Sequence, residues 1–457
     1  MNRIYSEYYD KGVVSLAIRD DIAQSKNIFT VIVGKNGVGK SRLLSQIVKH
    51  QVESNDSYPI FQNCLFHEKS PKVIAVSTSP FDKFPSNRRT TSSQHNGTNY
   101  RYVGMRGEGP FGVSNAVSLL SSAAKGWLEK LAKSDNPANL LDVFYSLDFE
   151  PFAEFIFKPN YIGRNYPELN KLYAYDIDFM HEINKLHVEH DVVLDEKYIE
   201  QLANSSVELR RDLLDAIVEI NKFEQERKAV TLTVDFFSGD LHMGSKNVRS
   251  SVPKAIYILL SNGFMRLMDM RLVKKNFGPM SLKRASSGEQ CLLVMMFGIA
   301  GHITDYSLIL IDEPEISLHP RWQEEFIIML TNAFSSYEGC QFIIATHSPQ
   351  IISRLPNEGC YITSLPNNTI YKAKDFSKRS ADYQLAELFD APGIMNEYIV
   401  RLAFNLLSKV KAAKHVTADN WAELTQLQRL IENVDRSDPT KELVKSVAQV
   451  CEIYANN

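Results

Sequence analysis

The segment 34–41 reads Gly-Lys-Asn-Gly-Val-Gly-Lys-Ser and fits the pattern G-x-x-x-x-G-K-[ST] of a phosphate-binding loop, or P-loop. In such a loop, backbone N–H groups at the start of a helix bind phosphate oxygens, and glycines let the backbone come close. The ammonium group of Lys40 would reach the β- and γ-phosphates, and the hydroxyl group of Ser41 would bind Mg²⁺. The residues that we predict to bind the nucleotide here are Gly34, Asn36, Gly37, Val38, Gly39, Lys40, Ser41 and Arg42.

Two carboxylates, Asp312 and Glu313, directly follow the apolar run 308–311. A strand that ends in acidic residues presents them at the carboxyl edge of a sheet, where ligands of doubly wound α/β folds bind. Asp312 would hold Mg²⁺ together with Ser41, and Glu313 would orient or deprotonate the attacking water. Such a pair can also merely cap a turn, but the presence of a P-loop in the same chain favours a catalytic role for these carboxylates.

Two further segments carry polar residues at the ends of apolar elements. Residues 285–290 read Ala-Ser-Ser-Gly-Glu-Gln and precede an apolar helix, so Ser286 or Ser287 is expected to cap that helix. His347 follows the apolar strand 342–345. A single histidine after a strand is usually a surface or capping residue, but this one should lie at the same sheet edge as Asp312.

Apolar runs provide the strands that would position these residues. The run 28–33 leads directly into the P-loop, and leucine, isoleucine and valine recur at helical spacing in 43–48. Residues 73–77 predict another buried strand. We therefore predict an α/β fold with a parallel or mixed sheet, divided into a first head half (1–84), a mobile loop and helical insertion (85–228), a second head half (229–380) and a helical C-terminal region (381–457).

The role of the middle and of the C-terminal region stays open at this point. Residues 85–109 are rich in Ser, Thr and Asn and carry the basic residues Arg88, Arg89, Arg101 and Arg106, which indicates either a nucleic-acid or nucleotide contact or a solvated loop. Beyond residue 398, three amphipathic stripes should pack on the head or on a partner protein, since about 60 residues cannot bury them alone.

Composition narrows the class of protein. The 457 residues are 44% hydrophobic and 23% charged, with a net charge of -3, which does not support a strongly basic DNA-binding protein. No apolar run approaches the 18 or so residues of a membrane span, and the first twenty residues lack the apolar centre of a signal peptide. We expect a cytoplasmic protein without a membrane contact, whose five scattered cysteines are reduced and structural.

Together, the four motifs at 34–41, 286–290, 311–320 and 345–348 resemble those of ABC-type ATPases, in the same order. The ending Leu318-His319-Pro320 is similar to the branch that contains the OLD nucleases and the ATPases of bacterial defence systems. RecF, Rad50 and SMC proteins are more distant. The resemblance implies an ABC-type ATPase head that binds ATP and Mg²⁺.

In that family, two heads dimerise face to face, and each ATP lies between the P-loop of one head and the signature motif of the other. The resemblance implies that the signature residues Ser286, Ser287, Gly288 and Glu289 contact the γ-phosphate from the partner chain. His347 would correspond to the switch histidine that senses this phosphate. His319 stands where many members have an aspartate, and Gln94 is the candidate for the glutamine that normally follows an early strand.

OLD nucleases carry a nuclease domain after the ATPase, with an early glutamate and a later Asp-x-Asp. Glu358-Gly359 occurs here, but no Asp-x-Asp follows it. The hypothesis is therefore an ATPase subunit of a two-component anti-phage system, similar to the Septu-type ATPase, with a separately encoded HNH-type nuclease as partner. The alternative is a DNA-repair ATPase of the RecF/Rad50 kind that clamps DNA. Energising transport is a third reading that no sequence feature supports.

Overall fold

The apolar runs of the sequence form the strands, and most of its amphipathic stretches form the helices. A computed structural model describes residues 3–10, 12–19, 21–56, 72–79, 81–85, 99–104, 115–133, 138–163, 176–223, 229–316, 318–435 and 437–455. The strands are β1 (Ser6–Tyr9), β2 (Gly12–Ser15), β3 (Ile28–Val33), β4 (Val73–Ser77), β5 (Tyr100–Gly104), β6 (Phe149–Pro159), β7 (Val230–Asp235), β8 (Leu241–Met243), β9 (Lys246–Asn247), β10 (Met265–Lys274), β11 (Gly278–Ser281), β12 (Leu308–Asp312), β13 (Gln341–Ala345), β14 (Cys360–Ser364) and β15 (Thr369–Lys372). The helices are α1 (Lys40–Asp56), α2 (Asn115–Ala132), α3 (Ala138–Ser146), α4 (Ile177–His190), α5 (Glu196–Ala203), α6 (Val207–Asn221), α7 (Ser251–Ser261), α8 (Ser287–His302), α9 (Pro320–Ala333), α10 (Pro349–Ser353), α11 (Ala381–Glu387), α12 (Glu397–Ala413), α13 (Ala418–Leu430) and α14 (Pro439–Ala455).

Seven of the described strands form one sheet, the main sheet, in the order β15-β14-β3-β13-β12-β4-β5. All neighbours in it are parallel except β14 and β15. The register aligns the carboxyl ends of the strands, because Asp312 pairs with both Ala345 and Ser77, and Ala345 pairs with Ile32. This mixed α/β architecture with a mainly parallel sheet is consistent with a P-loop ATPase domain and confirms the predicted fold class.

Successive residues of the main-sheet strands point to opposite faces of the sheet and pack into two different hydrophobic cores. On one face, Ile32, Leu310 and Ile343 pack with the apolar side of α1, including Leu44 and Ile47. On the other face, neighbouring residues of the same strands belong to a larger core that includes α2 and α8. Burial of both faces explains why these strands read as uninterrupted apolar runs in the sequence.

Six described strands form a second sheet in the order β11-β10-β6-β7-β8-β9. It is antiparallel throughout. Its longest strand, β6, corrects the prediction that 85–228 is a mobile loop and a helical insertion. The strand was missed because it pairs with β7 and β10, which lie far along the chain.

A second correction concerns the predicted mobile loop at 85–109. Residues 100–104 form β5, the edge strand that pairs in parallel with β4. Arg101 belongs to this strand and bonds to Glu129 of α2 with an N–O distance of 3.2 Å. Arg88, Arg89, Gln94 and Arg106 lie outside the described residues, so their predicted roles stay predictions.

The helices α12, α13 and α14 bury their apolar stripes against one another. Their shared core contains Ile399, Leu406, Leu424 and Val447, and it also takes Ala386 from α11. The expectation that these stripes pack on the head or on a partner is therefore wrong for the faces that are buried here. Asp438 caps α14 as predicted, since its carboxylate accepts a hydrogen bond of 2.8 Å from the N–H of Thr440.

Within the described parts of the chain, no helix has the length and apolar character that crossing a membrane requires. The cysteines of these parts are Cys291, Cys340, Cys360 and Cys451, and each is buried. Burial raises the pKa of the Cys340 and Cys360 thiols to about 12, which keeps them protonated and unreactive. Cys64 lies outside the described residues.

Candidate functional site

The predicted P-loop joins β3 to α1 in the strand–loop–helix order that such a loop requires. Gly34, Gly37 and Gly39 all have positive φ angles, of 151°, 84° and 100°. A side chain at Gly34 would lie 2.9 Å from the ring of Pro366, and one at Gly39 would collide with the hydroxyl group of Tyr9. The backbone conformation therefore favours glycine at all three positions, and close neighbours add to this at Gly34 and Gly39.

Lys40 is almost fully buried at the start of α1, with 4% of its surface exposed. Its ammonium group donates hydrogen bonds to the carbonyl oxygens of Gly34 and Lys35, at 2.9 and 3.3 Å. Burial lowers the pKa of Lys40 to about 8, against the opposing attraction of Glu313, Glu315 and Asp312. A buried cation of this kind is suited to an anionic ligand that can restore its lost solvation.

Ser41 and Asp312 meet across the edge of the main sheet. The hydroxyl group of Ser41 donates to Oδ1 of Asp312 at 3.0 Å, and Asp312 is 2% exposed. Burial raises the pKa of Asp312 to about 7, and nearby Glu313 raises it further, although the Ser41 hydrogen bond opposes the shift. A hydroxyl and a poorly compensated carboxylate are hard oxygen donors, so this pair fits Mg²⁺ chemically.

Glu313 lies one residue beyond the end of β12. Its N–H donates to the carbonyl oxygen of Ala345 at 2.9 Å, which extends the ladder between β12 and β13. Its φ angle of 50° lies in the left-handed region, which a residue with a long side chain rarely adopts. The hydrogen bond from His347 lowers the pKa of Glu313, so its carboxylate is charged at neutral pH.

His347 bridges the lysine and the glutamate of the site. Its ring nitrogens lie 2.7 and 3.0 Å from Nζ of Lys40, and Nε2 lies 3.4 Å from Oε1 of Glu313. The strand order explains this position, because β13 runs between β3, which carries the P-loop, and β12, which carries the carboxylates. The structure thus brings together Lys40, Ser41, Asp312, Glu313 and His347.

The predicted signature segment lies at the start of α8, and its described hydrogen bonds do not reach the P-loop. Ser286, not Ser287, is the N-cap, and it forms a capping box with Glu289. Glu289 also forms an ion pair of 3.4 Å with Lys274 at the end of β10. Ser287 and Gly288 occupy the first turn of α8, where backbone N–H groups point out of the N-terminal end of the helix.

The remaining predicted residues lie around the P-loop. Asn36 is exposed at the crest of the loop. Val38 and Arg42 line an open surface depression next to it, together with Tyr9. His319 caps α9, because its side chain accepts a hydrogen bond of 3.3 Å from the N–H of Arg321. Its role in the structure is therefore to stabilise the start of this helix.

Sequence reasoning missed two residues that contact the site. Glu315 accepts a hydrogen bond from the backbone N–H of His347, and the hydroxyl group of Tyr9 donates to the carbonyl oxygen of Gly39 at 3.1 Å. The second glutamate of Asp-Glu-Pro-Glu was visible in the motif and could have been singled out. Nothing in the sequence points to Tyr9, which lies 30 residues before Gly39.

Part of the chain matches a known family. Residues 133–353 match the family described as "AAA domain, putative AbiEii toxin, Type IV TA system". This range contains the signature segment, both carboxylates and His347, and it begins after the P-loop. The match covers just under half of the chain and is a similarity to the family with that description.

Three curated proteins are similar to shorter stretches of the chain. "Retron Vc95 probable ATPase" of Vibrio cholerae serotype O1 biovar El Tor is 29% identical over 163 residues, which is 32% of this chain and 30% of that protein. "Retron Ec83 probable ATPase" of Escherichia coli is 27% identical over 208 residues, 40% and 37% of the two chains. "Protein ea59" of Escherichia phage lambda is 24% identical over 151 residues, 33% and 29% of the two chains. The matched stretches thus span about a third of these relatives.

Proposed function

We propose that this chain is an ATPase that binds and hydrolyses Mg²⁺–ATP, and that it acts in defence against phages. The observation that carries the proposal is the meeting of Lys40, Asp312, Glu313 and His347 at one edge of the main sheet. Similarity to proteins named retron probable ATPases supports both the reaction and the setting.

Binding rests on the P-loop. The free N–H groups at the start of α1 and the ammonium group of Lys40 would hold the phosphates. Ser41 and Asp312 would hold Mg²⁺, which supplies positive charge that stabilises the transferred phosphoryl group. A bound phosphate would also restore the electrostatic stabilisation that burial denies Lys40.

Hydrolysis rests on Glu313 and His347. The Glu313 carboxylate, charged at neutral pH, would orient or deprotonate the attacking water. His347 lies within hydrogen-bond distance of Lys40 and close to Glu313, so a change at the terminal phosphate would reach both groups through one ring.

The proposal includes ATP-dependent dimerisation. The signature residues Ser286, Ser287, Gly288 and Glu289 share no described hydrogen bond with the P-loop of the same chain, so a second copy would supply them. The binding site of an ATP on one P-loop would then be completed by the first turn of α8 from the other copy. Lys274 and Glu289, which form an ion pair, would hold that turn in place.

We further propose that dimerisation regulates a separately encoded nuclease of the HNH type, as in Septu-type systems. The sequence after Glu358 carries no Asp-x-Asp of its own, which argues against a nuclease centre there. The exposed side chains of Phe404 and Trp421, on α12 and α13, belong to the region that we would expect to bind such a partner.

The test is purification of the chain alone and together with the products of its neighbouring genes. We expect Mg²⁺-dependent ATP hydrolysis by the chain alone, an ATP-dependent doubling of its mass in light scattering with Glu313→Gln, and co-purification of a nuclease. Hydrolysis without any nuclease would overturn the effector proposal only. Turnover that rises several-fold with DNA, with salt-sensitive binding, would favour the DNA-clamp alternative.

A further inference from the structure

The carboxylate of Glu315 connects the two strand ends that carry the candidate catalytic residues. It lies three residues after Asp312, at the end of β12, and Oε1 accepts a hydrogen bond of 2.5 Å from the backbone N–H of His347. The residue before His347 is held by the sheet, since the N–H of Thr346 donates to the carbonyl oxygen of Ile32. The N–H of Ser348 donates to the hydroxyl group of Thr346. The Glu315 side chain therefore restrains the loop where it leaves β13.

The second oxygen of Glu315 points to a role beyond restraint of a loop. Oε2 is buried, and no described group forms a hydrogen bond of good geometry with it, although the hydroxyl group of Thr346 lies close to the carboxyl group. Burial raises the pKa of this carboxyl group. A buried polar atom without a partner costs roughly 1–3 kcal/mol, and an apolar side chain would avoid that cost. A glutamate is thus tolerated here at a cost to stability, as is common at functional positions.

Glu315 also belongs to the electrostatic environment of the site. Its carboxyl group has a minor effect on the ionisation of Lys40 and Asp312, smaller than the effect of burial at each. These are the two residues that we assign to phosphate and Mg²⁺. Its carboxyl group is therefore close to the reacting groups without touching them in the described structure.

We propose that Glu315 is a positioning residue that sets the place of the His347 ring between Lys40 and Glu313. The inference rests on the proposed function, because it assigns His347 a part in ATP turnover. The ring contacts span 2.7 to 3.4 Å, so a small displacement of the loop would break at least one of them. A misplacement of about 1 Å can reduce turnover by roughly a hundredfold.

Glu315→Ala, Glu315→Gln and His347→Ala test the proposal through kcat and KM for ATP. Glu315→Ala should lower kcat at least tenfold and leave KM within about twofold, since the phosphate contacts remain. Glu315→Gln keeps the acceptor oxygen and should restore kcat to within about threefold of the wild type. In the His347→Ala background, Glu315→Ala should change kcat less than twofold. Equal losses with and without His347, or a glutamine variant as slow as the alanine variant, would overturn the proposal.

A second measurement does not need turnover. In protein labelled with ¹³C and ¹⁵N at histidine, His347→Ala identifies the imidazole signal of His347 by its loss. Glu315→Ala should shift that signal, Glu315→Gln should leave it in place, and the exposed control Glu358→Ala should have no effect. An unchanged signal in Glu315→Ala would contradict the positioning role. If the wild type hydrolysed no ATP, the proposed function would fail, and this spectrum would still decide the position of His347.

Should Glu315→Ala fail to fold, Glu315→Asp replaces it in both experiments. The shorter side chain keeps the charge but should not reach the N–H of His347. It should therefore lower kcat and shift the His347 signal like the alanine variant. Wild-type behaviour of both quantities in Glu315→Asp would overturn the proposal.

Discussion

The carboxyl edge of the main sheet and the C-terminal helices α12–α14 are built on opposite principles. At the edge, Lys40 and Asp312 are buried charges whose pKa values move to about 8 and about 7, toward their neutral forms, and Glu313 adopts a disfavoured backbone angle. In the helices, apolar stripes fill a shared core and polar residues cap the ends, as Thr417 and Asn420 do in α13. The sheet edge holds polar groups in fixed places at a cost to stability. The C-terminal helices are stabilised by buried apolar side chains and by capped ends.

This difference predicts that the two regions respond oppositely to substitution. Changes at the sheet edge should reduce nucleotide chemistry without reducing stability. Changes in the helical core should reduce stability and leave nucleotide chemistry nearly unchanged. Variants in each region test whether the effects on nucleotide chemistry and on stability are separate.

The largest effect is expected at Glu313. Glu313→Gln should lower ATP turnover by about 10²–10⁴, the usual contribution of a positioned acid–base group, and leave ATP affinity within about threefold. Steady-state phosphate release and equilibrium binding measure the two quantities. The control Glu325→Gln, on the exposed side of α9, should turn over normally. Normal turnover in Glu313→Gln would contradict the assignment of Glu313 as the residue that acts on the attacking water.

Leu406→Ala tests the helical core. Leu406 is fully buried between the C-terminal helices, so its truncation should lower the free energy of unfolding by about 2–5 kcal/mol. Chemical denaturation followed by circular dichroism measures this. Phe404→Ala on the same helix, where the ring is 52% exposed, should change stability by less than about 0.5 kcal/mol. A loss of ATP affinity in Leu406→Ala without unfolding would show that the two regions are coupled.

The pH dependence of nucleotide binding should follow Lys40. Because burial lowers the pKa of Lys40 to about 8, ATP affinity should fall by up to tenfold per pH unit well above 8. The terminal phosphate is already ionised in this range. Titrations at pH 7, 8, 9 and 9.5 check this.

Unfolding would not explain such a loss of affinity. The unfolded chain keeps the Lys40 proton up to about pH 10.5 while the folded chain releases it near 8, so the unfolded state binds more protons between these values. The contribution of Lys40 to stability therefore rises with pH in that window. Affinity that stayed constant to pH 9.5 would contradict the lowered pKa.

The smallest effect is expected at the ion pair between the two regions. Lys35 of the P-loop lies 3.0 Å from Asp390, which also accepts a hydrogen bond from Asn433, just after α13. Both charged side chains are more than a third exposed, and such pairs contribute about 0–1 kcal/mol. Asp390→Asn should change ATP affinity less than about threefold in a binding titration. A tenfold change would show that the P-loop and the C-terminal helices are energetically linked.

Much of the site could be predicted because parallel strands end at one edge. Three apolar runs, each followed by polar residues, were enough to place Ser41, Asp312 and His347 near one another. Local spacing also predicted the cap at Asp438 and limited the cap of α8 to Ser286 or Ser287. These features depend on residues close in the sequence or on a general property of parallel sheets.

The remainder depends on contacts that local patterns do not encode. β5 is short and follows a stretch rich in Ser and Asn, and its place is fixed by pairing with β4 and by contacts with α2. The stripes of α12–α14 showed which faces are apolar but not that they would face each other. The contacts of Tyr9 and Glu315 join segments about 30 residues apart, and only the folded chain brings them together.

ATP binding by Lys40→Ala is the measurement that tests the assigned site most directly. Calorimetric titration of the purified wild type with Mg²⁺–ATP should show saturable binding, and Lys40→Ala should lose at least a hundredfold in affinity while its unfolding midpoint stays within a few degrees. The control Lys411→Ala, exposed on α12, should bind like the wild type. Equal ATP binding by the wild type and a folded Lys40→Ala variant would contradict the assignment of 34–41 as the nucleotide site.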